Sequence, residues 1–250
     1  MKDFKEAFEK TRLAGSIAAG ALDEVSKIVK PGISTNEIDK LCYEYINDHQ
    51  AYSAPLFYRG FPKSCCTSAN HVVCHGIPSD KILKEGDIVN VDVTTFKDGW
   101  HGDTSRMFKI GKVSIKAEKL INSTYEAMMK AISIVKDNVH LGDIGSTIQK
   151  YVEAEGFSVV QDFCGHGIGE SFHKEPNILH YGEKGSGEKI KTGMIFTIEP
   201  MINLGKYETK ILNDGWTAVS KDKSLSAQFE HTIGVTNDSC EVFTQSNNTN

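Results

Sequence analysis

The sequence lacks the features that mark membrane, secreted and nucleic-acid-binding proteins. Its 250 residues contain no apolar run that approaches the roughly 18 residues of a membrane span, and its charged start, Met1-Lys2-Asp3, lacks the apolar core of a signal peptide. Lysine and arginine, 28 together, are outnumbered by 33 acids, so the net charge is -5 and no basic surface is indicated. We therefore expect a cytoplasmic protein without a membrane or nucleic-acid partner.

Motifs of several enzyme classes are also missing. The six cysteines include no Cys-x-x-Cys pair, and the chain is longer than a disulfide-stapled small domain, so free thiols are expected. Neither the His-Glu-x-x-His zinc helix nor the Gly-x-Ser-x-Gly elbow occurs. The glycines around His166 do not match P-loop or dinucleotide spacing, which argues against a phosphate site.

The patterns that are present predict a mixed α/β protein. Apolar residues at three- and four-residue steps predict helices over residues 4–29, 117–135 and 143–154. A capping box, Ser34-x-x-Glu37, opens a further helix after Pro31-Gly32. Strand patterns are found over residues 88–94, 194–199 and 228–235.

Chemical landmarks recur in the same order in the two halves of the chain. His75-Gly76-Ile77 is matched by His166-Gly167-Ile168, 91 residues later, and the glycine six residues before Asp92 is matched by one six residues before Glu199, 107 residues later. The unequal offsets imply insertions in loops. We interpret residues 1–250 as a single catalytic domain made of two pseudo-repeats, about 1–110 and 111–244, followed by a disordered tail at 245–250.

Four acids contributed by these halves point to metal. In the strand predicted at 88–94 the three valines share one face, and Asp92 lies on the other with Asn90 and Thr94. Each acid alone fits a solvated strand-end residue, and a lone histidine is more often structural than a ligand. Buried together, however, the acids need compensating charge, and carboxylates with an imidazole suit Mn, Fe, Co or Zn. The set comprises Asp92, Asp103, Glu199 and Glu230, with His166 beside them.

At these positions the sequence resembles the type I methionine aminopeptidases over nearly its whole length. The motifs are Val73-Cys74-His75-Gly76-Ile77-Pro78, Gly102-Asp103-Thr104, Cys164-Gly165-His166-Gly167-Ile168-Gly169, Thr197-Ile198-Glu199-Pro200-Met201 and Ser226-Ala227-Gln228-Phe229-Glu230-His231. The resemblance implies the α/β (α+β) pita-bread fold, a curved antiparallel sheet with outer helices and internal pseudo-twofold symmetry. It also implies removal of the N-terminal methionine from nascent proteins, favouring a small second residue, by metal-activated water.

The same resemblance implies a role for each site residue. Two divalent ions, Co, Mn, Fe, Zn or Ni, are expected on Asp92, Asp103, His166, Glu199 and Glu230, with Asp103 and Glu230 bridging. Glu199 is expected to move the proton, while His75 and His173 contact the substrate. The methionine pocket is expected to consist of Tyr58, Phe61, Cys66, Phe172 and Trp216.

The chain departs from the usual pattern of that family near the pocket. Pro55, Arg59 and Phe61 stand where a cysteine, a histidine and a tyrosine are common. Expected partners are nascent polypeptide N-termini, with transient ribosome association left open, and the protein is expected to be a monomer. The sequence leaves two other hypotheses open. The first is an X-Pro peptidase of the same fold, a group whose members usually carry an additional N-terminal domain. The second is a binding protein of the same fold that has lost catalysis.

Overall fold

The computed structural model of the protein describes residues 4–246, so residues 247–250 of the predicted tail lie outside the described part. The described residues form four α-helices: α1 (Phe4–Ile28), α2 (Thr35–Asp48), α3 (Ile115–Ser133) and α4 (Leu141–Ala154). The strands are β1 (Tyr52–Ser53), β2 (Cys66–Ala69), β3 (Val72–Cys74), β4 (Ile88–Lys97), β5 (Trp100–Lys109), β6 (Ser158–Val159), β7 (Gly165–Gly167), β8 (Lys174–Ile178), β9 (Ile195–Ile198), β10 (Met201–Asn203), β11 (Thr209–Ile211), β12 (Ala218–Ser220), β13 (Ser226–Gln228), β14 (Glu230–Val235) and β15 (Cys240–Val242).

The three helices predicted as full ranges, α1, α3 and α4, begin and end within two residues of the predicted positions, and the capping box at the start of α2 is present. The Ser34 hydroxyl accepts the Glu37 N–H, and the Glu37 carboxylate accepts the Ser34 N–H at 2.8 Å. These reciprocal bonds satisfy two backbone donors that a helix start otherwise leaves unpaired. Within residues 4–246 no helix has the length and apolar character that a membrane crossing requires.

A nine-stranded antiparallel sheet forms the centre of the fold. Its main path runs β1-β4-β5-β14-β9-β7-β8, with β2 paired to β4 and β15 paired to β14. Strands β4 and β5 form a long hairpin, and β14 pairs with both β5 and β9. The pairing β5–β14 therefore joins strands from the two halves of the chain side by side.

The helices cover one face of this sheet. The three valines of β4 pack in a core with Leu22 of α1 and Ile38 of α2. Phe196 and Ile198 of β9 pack with residues of α3 and α4 in a second core. Since side chains alternate along a strand, the polar residues of β4 and β9 lie on the opposite, inner face. The predicted separation of apolar and polar faces is confirmed.

Two predicted strands need correction where they carry glutamates. The single strand predicted over 228–235 is wrong, because the chain changes sheets at Phe229: β13 pairs with β10 in a three-stranded sheet, whereas β14 joins the central one. The strand predicted over 194–199 ends at Ile198, one residue before Glu199. Pro200 follows, and proline has no N–H to continue a ladder. As a result Glu199 lies just after β9, and Glu230 is the first residue of β14.

Candidate metal centre and active site

One cavity of about 360 Å³ lies on the inner face of the sheet. It brings together every residue that the sequence indicated for the site, although these residues span positions 58 to 230. The acids and His166 lie together, with the aromatic residues around them. The lining includes Tyr58, Phe61, Cys66, His75, Asp92, Asp103, His166, Phe172, His173, Glu199, Trp216 and Glu230.

Neighbouring strands hold the carboxylates in position. Asp92 and Asp103 are on the two strands of the β4–β5 hairpin, and Glu230 begins β14 opposite Ser105 of β5. His166 is on β7, which pairs with β9, and Glu199 follows the end of β9. Hydrogen bonding between these strands fixes the spacing of the side chains, so the cluster is a consequence of strand register.

The distances within the cluster suit a divalent ion. One ligand atom each of Asp103, His166 and Glu230 lies within 4.8 Å of the others. His166 Nε2 lies 3.7 Å from Asp103 Oδ2 and 3.6 Å from Glu199 Oε1. The carboxyl group of Asp92 approaches that of Asp103. Glu230 Oε1 is buried and has no hydrogen-bond partner within residues 4–246. An ion between these groups would satisfy that oxygen.

The acids are strongly perturbed by their surroundings. Burial raises the pKa of Asp92 to about 7 and that of Glu199 to about 8. Burial, reinforced by repulsion from neighbouring carboxylates, also raises the pKa values of Asp103 and Glu230. Desolvation lowers the pKa of His166 to about 4, so its imidazole is neutral and able to act as a ligand.

Within residues 4–246 no lysine or arginine forms an ion pair with any of these acids. Arg106, three residues after Asp103 in the sequence, could have balanced these charges. It donates to Asp23 at 3.0 Å instead, and neither Arg106 nor Asp23 lines the cavity. Uncompensated carboxylates in a low-dielectric site either neutralise or bind a cation. The neutral imidazole, the oxygen-rich donor set and the unpaired Glu230 oxygen therefore fit a divalent metal.

Two threonines that sequence reasoning did not single out orient the cluster. Thr94 donates to Asp103 Oδ1 at 2.7 Å. Thr197 donates to Glu199 Oε1 at 2.8 Å and accepts the His166 N–H at 3.0 Å. Each threonine lies two residues from an acid on the same strand face, a spacing visible in the sequence. Hydrogen bonds from outer residues are what orient metal ligands in proteins.

His180 was also missed by the sequence analysis, because it belongs to no motif. Its ring is 1% exposed, and its Nε2 accepts the backbone N–H of Glu199 at 3.1 Å. An accepting Nε2 requires the proton of the neutral ring to be on Nδ1, which is buried without a partner within residues 4–246. Burial lowers the pKa of His180 to about 3, which keeps the ring neutral.

The other two predicted histidines lie on different sides of the cavity. His173 Nδ1 is 3.1 Å from the Tyr58 hydroxyl, and its ring is 4.2 Å from that of His166. Desolvation and the neighbouring imidazoles lower the pKa of His173 to about 3. The ring of His75 meets Phe163 and Trp216 edge to face and makes no hydrogen bond to residues 4–246. Both imidazoles therefore have a nitrogen available to a substrate.

Aromatic side chains form the apolar wall. Phe61 is 2% exposed and packs edge to face on Trp216, with ring centroids 5.2 Å apart. Tyr58 packs on Phe172 at 4.9 Å. Burial raises the pKa of the Cys66 thiol well above its ordinary value, so this cysteine is a neutral wall residue. The cavity also includes residues that the sequence analysis did not propose for the site: Thr94, Asp162, Phe163, Cys164 and Met201.

Known proteins match the chain over almost its whole length. Residues 9–237 match metallopeptidase family M24. The methionine aminopeptidase of Rickettsia prowazekii is 58% identical over 240 residues, which cover 96% of this chain and 93% of that protein. The methionine aminopeptidase of Escherichia coli is 55% identical over 241 residues, with 96% and 91% covered. The resemblance drawn from the motifs is thereby confirmed.

Solved structures of methionine aminopeptidases are similar to this chain in both sequence and fold. The crystal structure of the Rickettsia prowazekii methionine aminopeptidase is 57% identical, has a TM-score of 0.95 and covers 96% of this chain and 98% of its own. The Thermotoga maritima methionine aminopeptidase is 37% identical with the same TM-score, covering 97% and 98%. A prolidase from Pyrococcus furiosus, 21% identical with a TM-score of 0.78, covers 98% of this chain and 65% of its own and shares the fold.

The inferred pita-bread fold is confirmed by these structural matches. The expectation of a hydrolytic enzyme is confirmed as well, since the matched family consists of metallopeptidases. On its cavity, its fold and its relatives, this chain belongs to metallopeptidase family M24.

Proposed function

We propose that the protein is a methionine aminopeptidase that removes the first methionine from peptides and nascent polypeptides. One observation carries the proposal: four carboxylates, three of them buried and one half-buried, and a neutral imidazole line a cavity that also has an aromatic wall. Such a site combines ligands for a hydrolytic metal with a place for an unbranched apolar side chain. Relatives at 55–58% identity that bear the name methionine aminopeptidase support the same activity.

Two divalent ions would be held by the five ligands. The residues that would hold them are Asp92, Asp103, His166, Glu199 and Glu230, which all line the cavity. Co, Mn, Fe, Zn and Ni all suit this mixture of carboxylate and imidazole. When bound, such ions supply Lewis acidity and lower the pKa of water. The close approach of the four acids, whose pKa values are raised in the absence of cations, supports binding of more than one positive charge.

Glu199 would move the proton in the reaction. With cations beside it, the Glu199 carboxyl group would be ionised, and a carboxylate can accept a proton from an attacking water and return it. The hydrogen bond from Thr197 to Oε1 fixes one oxygen of Glu199, while Oε2 faces the Gln228 amide at 3.4 Å. The proton would leave this carboxyl group for the amine of the departing chain.

His173 would stabilise the oxyanion that forms at the attacked carbonyl. Its Nδ1 is occupied by the Tyr58 hydroxyl, so Nε2 faces the substrate. With the Tyr58 O–H donating to Nδ1, the neutral ring carries its proton on Nε2 and can donate it in a hydrogen bond. A preorganised donor at a developing negative charge is a large source of catalysis.

The substrate would lie across the cavity with its α-amine toward Asp92 and its first side chain against the aromatic wall. His75 would hold the nitrogen of the scissile bond, since its ring makes no competing hydrogen bond within residues 4–246. Tyr58, Phe61, Cys66, Phe172 and Trp216 would surround the methionine side chain. A small second residue is preferred in this proposal, as in the family that the motifs indicate.

The arrangement of the chain as two pseudo-repeats, about 1–110 and 111–244, is part of the same proposal. Each half would supply two acids, Asp92 with Asp103 and Glu199 with Glu230, and the paired strands β5 and β14 carry one acid from each half, Asp103 and Glu230. Ribosome association and a monomeric state stay predictions.

Peptide hydrolysis tests the function directly. We expect protein loaded with Mn²⁺, Co²⁺ or Fe²⁺ to release methionine from Met-Ala-Ser, to act far more slowly on Met-Leu-Ser, and to leave Ala-Pro uncleaved. Metal analysis of the active protein should give two ions per chain. Cleavage of Ala-Pro with Met-Ala-Ser intact would instead favour an X-Pro peptidase. A protein that neither binds metal nor hydrolyses any of the peptides would favour the binding-protein hypothesis.

A further inference from the structure

A tightly closed loop presents an arginine at the cavity. Phe57, Arg59 and Gly60 all have positive φ angles, of 65°, 48° and 88°. The loop is closed by bonds from the Phe57 N–H to the Phe61 carbonyl at 2.7 Å and from the Gly60 N–H to the Phe57 carbonyl at 3.1 Å. Left-handed backbone is costly for residues other than glycine and is found where the surrounding structure imposes it, often at functional sites.

Arg59 is the one lysine or arginine that lines the cavity within residues 4–246. Its side chain is exposed, and its Cζ lies 5.3 Å from the centroid of the Tyr58 ring. No carboxylate in the described part of the chain forms an ion pair with it. Asp162, the exposed acid among the lining residues, accepts the Thr209 hydroxyl at 2.6 Å. Arg59 therefore presents an unpaired positive charge to whatever enters the cavity.

The path of the substrate determines which residue meets this charge. In the function proposed above, the methionine side chain fills the aromatic wall and the first peptide bond lies over the acids. The rest of the peptide must then leave past the exposed rim, where Tyr58 and Arg59 lie. The second residue is small in that proposal, so the third residue is the first with a side chain long enough to reach the guanidinium.

We propose that Arg59 is a specificity-determining residue that favours peptides with an acidic third residue. This inference rests on the proposed function and adds a substrate class to it. Guanidinium and carboxylate groups pair with charge-assisted, often bidentate hydrogen bonds. Two divalent ions would balance the four acids of the metal cluster, so the charges left on the lining are those of Arg59 and of the exposed Asp162, which accepts the Thr209 hydroxyl. Because the arginine is exposed, the gain is modest and is screened by salt.

Competing peptides test the inference on the wild-type protein. We expect kcat/KM for Met-Ala-Glu-Ser to exceed that for Met-Ala-Gln-Ser by about two- to fivefold at low ionic strength. The ratio should fall toward one at high ionic strength. Met-Ala-Lys-Ser should be the poorest of the three. The glutamine peptide is the matched control, since it differs from the first mainly in charge.

Variants assign the preference to one side chain. Arg59→Gln should bring the ratio near one, Arg59→Lys should retain part of it, and Arg59→Glu should favour the lysine peptide. Lys116→Gln, which removes the same charge from α3 outside the cavity, should keep the wild-type ratio. Thermal melting of each variant separates a change in selectivity from a loss of folding, and the lysine variant keeps the charge at this position.

Three results show which of the two proposals fails, the role of Arg59 or the proposed function. A ratio of one in the wild type, or an equal ratio in wild type and Arg59→Gln, overturns the role of Arg59 and leaves the proposed function intact. If Lys116→Gln also loses the preference for the acidic peptide, the role of Arg59 is overturned, because a general effect of net charge would then explain the data. Failure to cleave any of the methionine peptides overturns the proposed function, and the inference with it.

Discussion

The hydroxyl of Thr197 donates to Glu199 Oε1 at 2.8 Å. The hydroxyl oxygen of Thr197 also accepts the backbone N–H of His166 at 3.0 Å, so the Thr197 side chain connects two proposed metal ligands on different strand segments. Thr197 is fully buried on the inner face of β9. A rigid connection of this kind limits the positions that the ligands adopt before a metal arrives.

Replacing Thr197 by valine keeps the shape of the side chain and removes both hydrogen bonds. We expect Thr197→Val to weaken Mn²⁺ binding about tenfold or more, the usual effect of losing an outer-shell partner. Isothermal titration of the metal-free protein measures the affinity, and Thr197→Ser should restore most of it. Thr124→Val, which removes a buried hydroxyl from α3, is the control. Equal Mn²⁺ affinity in Thr197→Val and the wild type would contradict this role.

His180 supports Glu199 through the backbone. A glutamine amide can reach the position of the ring Nε2 and accept the Glu199 N–H, whereas leucine cannot. We therefore expect His180→Leu to lower stability by about 1–3 kcal/mol, the cost of an unsatisfied buried donor, and to weaken metal binding as well. His180→Gln should lose less of both. Melting curves and metal titration of both variants measure these effects. If His180→Gln were as impaired as His180→Leu, the role of His180 would be packing and not its hydrogen bond to the Glu199 N–H.

Removal of metal should affect both activity and stability. An ion that binds only the folded chain stabilises it by mass action, about 2.7 kcal/mol at a concentration 100 times Kd. For a chain of this size that corresponds to a fall in Tm of roughly 5–10 °C on chelation. Differential scanning calorimetry with and without chelator measures the fall, and Mn²⁺, Co²⁺ or Fe²⁺ should reverse it. An unchanged Tm and rate in excess chelator would refute metal binding.

The metal-free protein should lose stability as pH rises. The folded-state pKa values of Asp92, about 7, and Glu199, about 8, lie above the ordinary value near 4. The folded chain thus holds protons that the unfolded chain has released, so this contribution is full below about pH 4 and is lost as pH rises through 7 to 8. Tm measured in chelator from about pH 5 to 9 should fall.

Two controls accompany the pH series. Asp92→Asn should flatten the decline, because that side chain no longer titrates. Saturating Mn²⁺ should flatten it as well, since cations compensate the ionised acids. A metal-free Tm that rises between about pH 5 and 8 would contradict the raised pKa values of this cluster.

The two histidines proposed to contact substrate should act on catalysis without holding metal. We expect His173→Ala to lower kcat by about 10²–10³, the effect of losing an oxyanion donor, and His75→Ala to lower kcat/KM. Metal content should stay at the wild-type level in both. His49→Ala, at the end of α2 and outside the cavity, is the control. Full turnover in either cavity variant would overturn the role assigned to that residue.

Much of the fold could be read from local patterns. The capping box at Ser34 and Glu37 fixed the start of α2, because capping depends on neighbours three residues apart. The alternation in β4 predicted which face carries Asp92, since side chains point to opposite faces in turn. The change of sheets at Phe229 could not be predicted, because the residues around it form one continuous strand pattern and the partners β10 and β9 are distant in sequence.

The sequence by itself determined the chemistry available to this protein. Its acids and histidines indicated a metal site, since donor atoms are a property of side chains, and its motifs resembled those of a family of metal-dependent hydrolases. Only the tertiary structure decided how these groups meet. Antiparallel register brought Glu230 opposite Ser105, next to Asp103, burial raised the pKa values of the acids, and packing placed His180 behind Glu199 and turned Arg106 toward Asp23. Desolvation and distance between residues far apart in the chain exist only once it has folded.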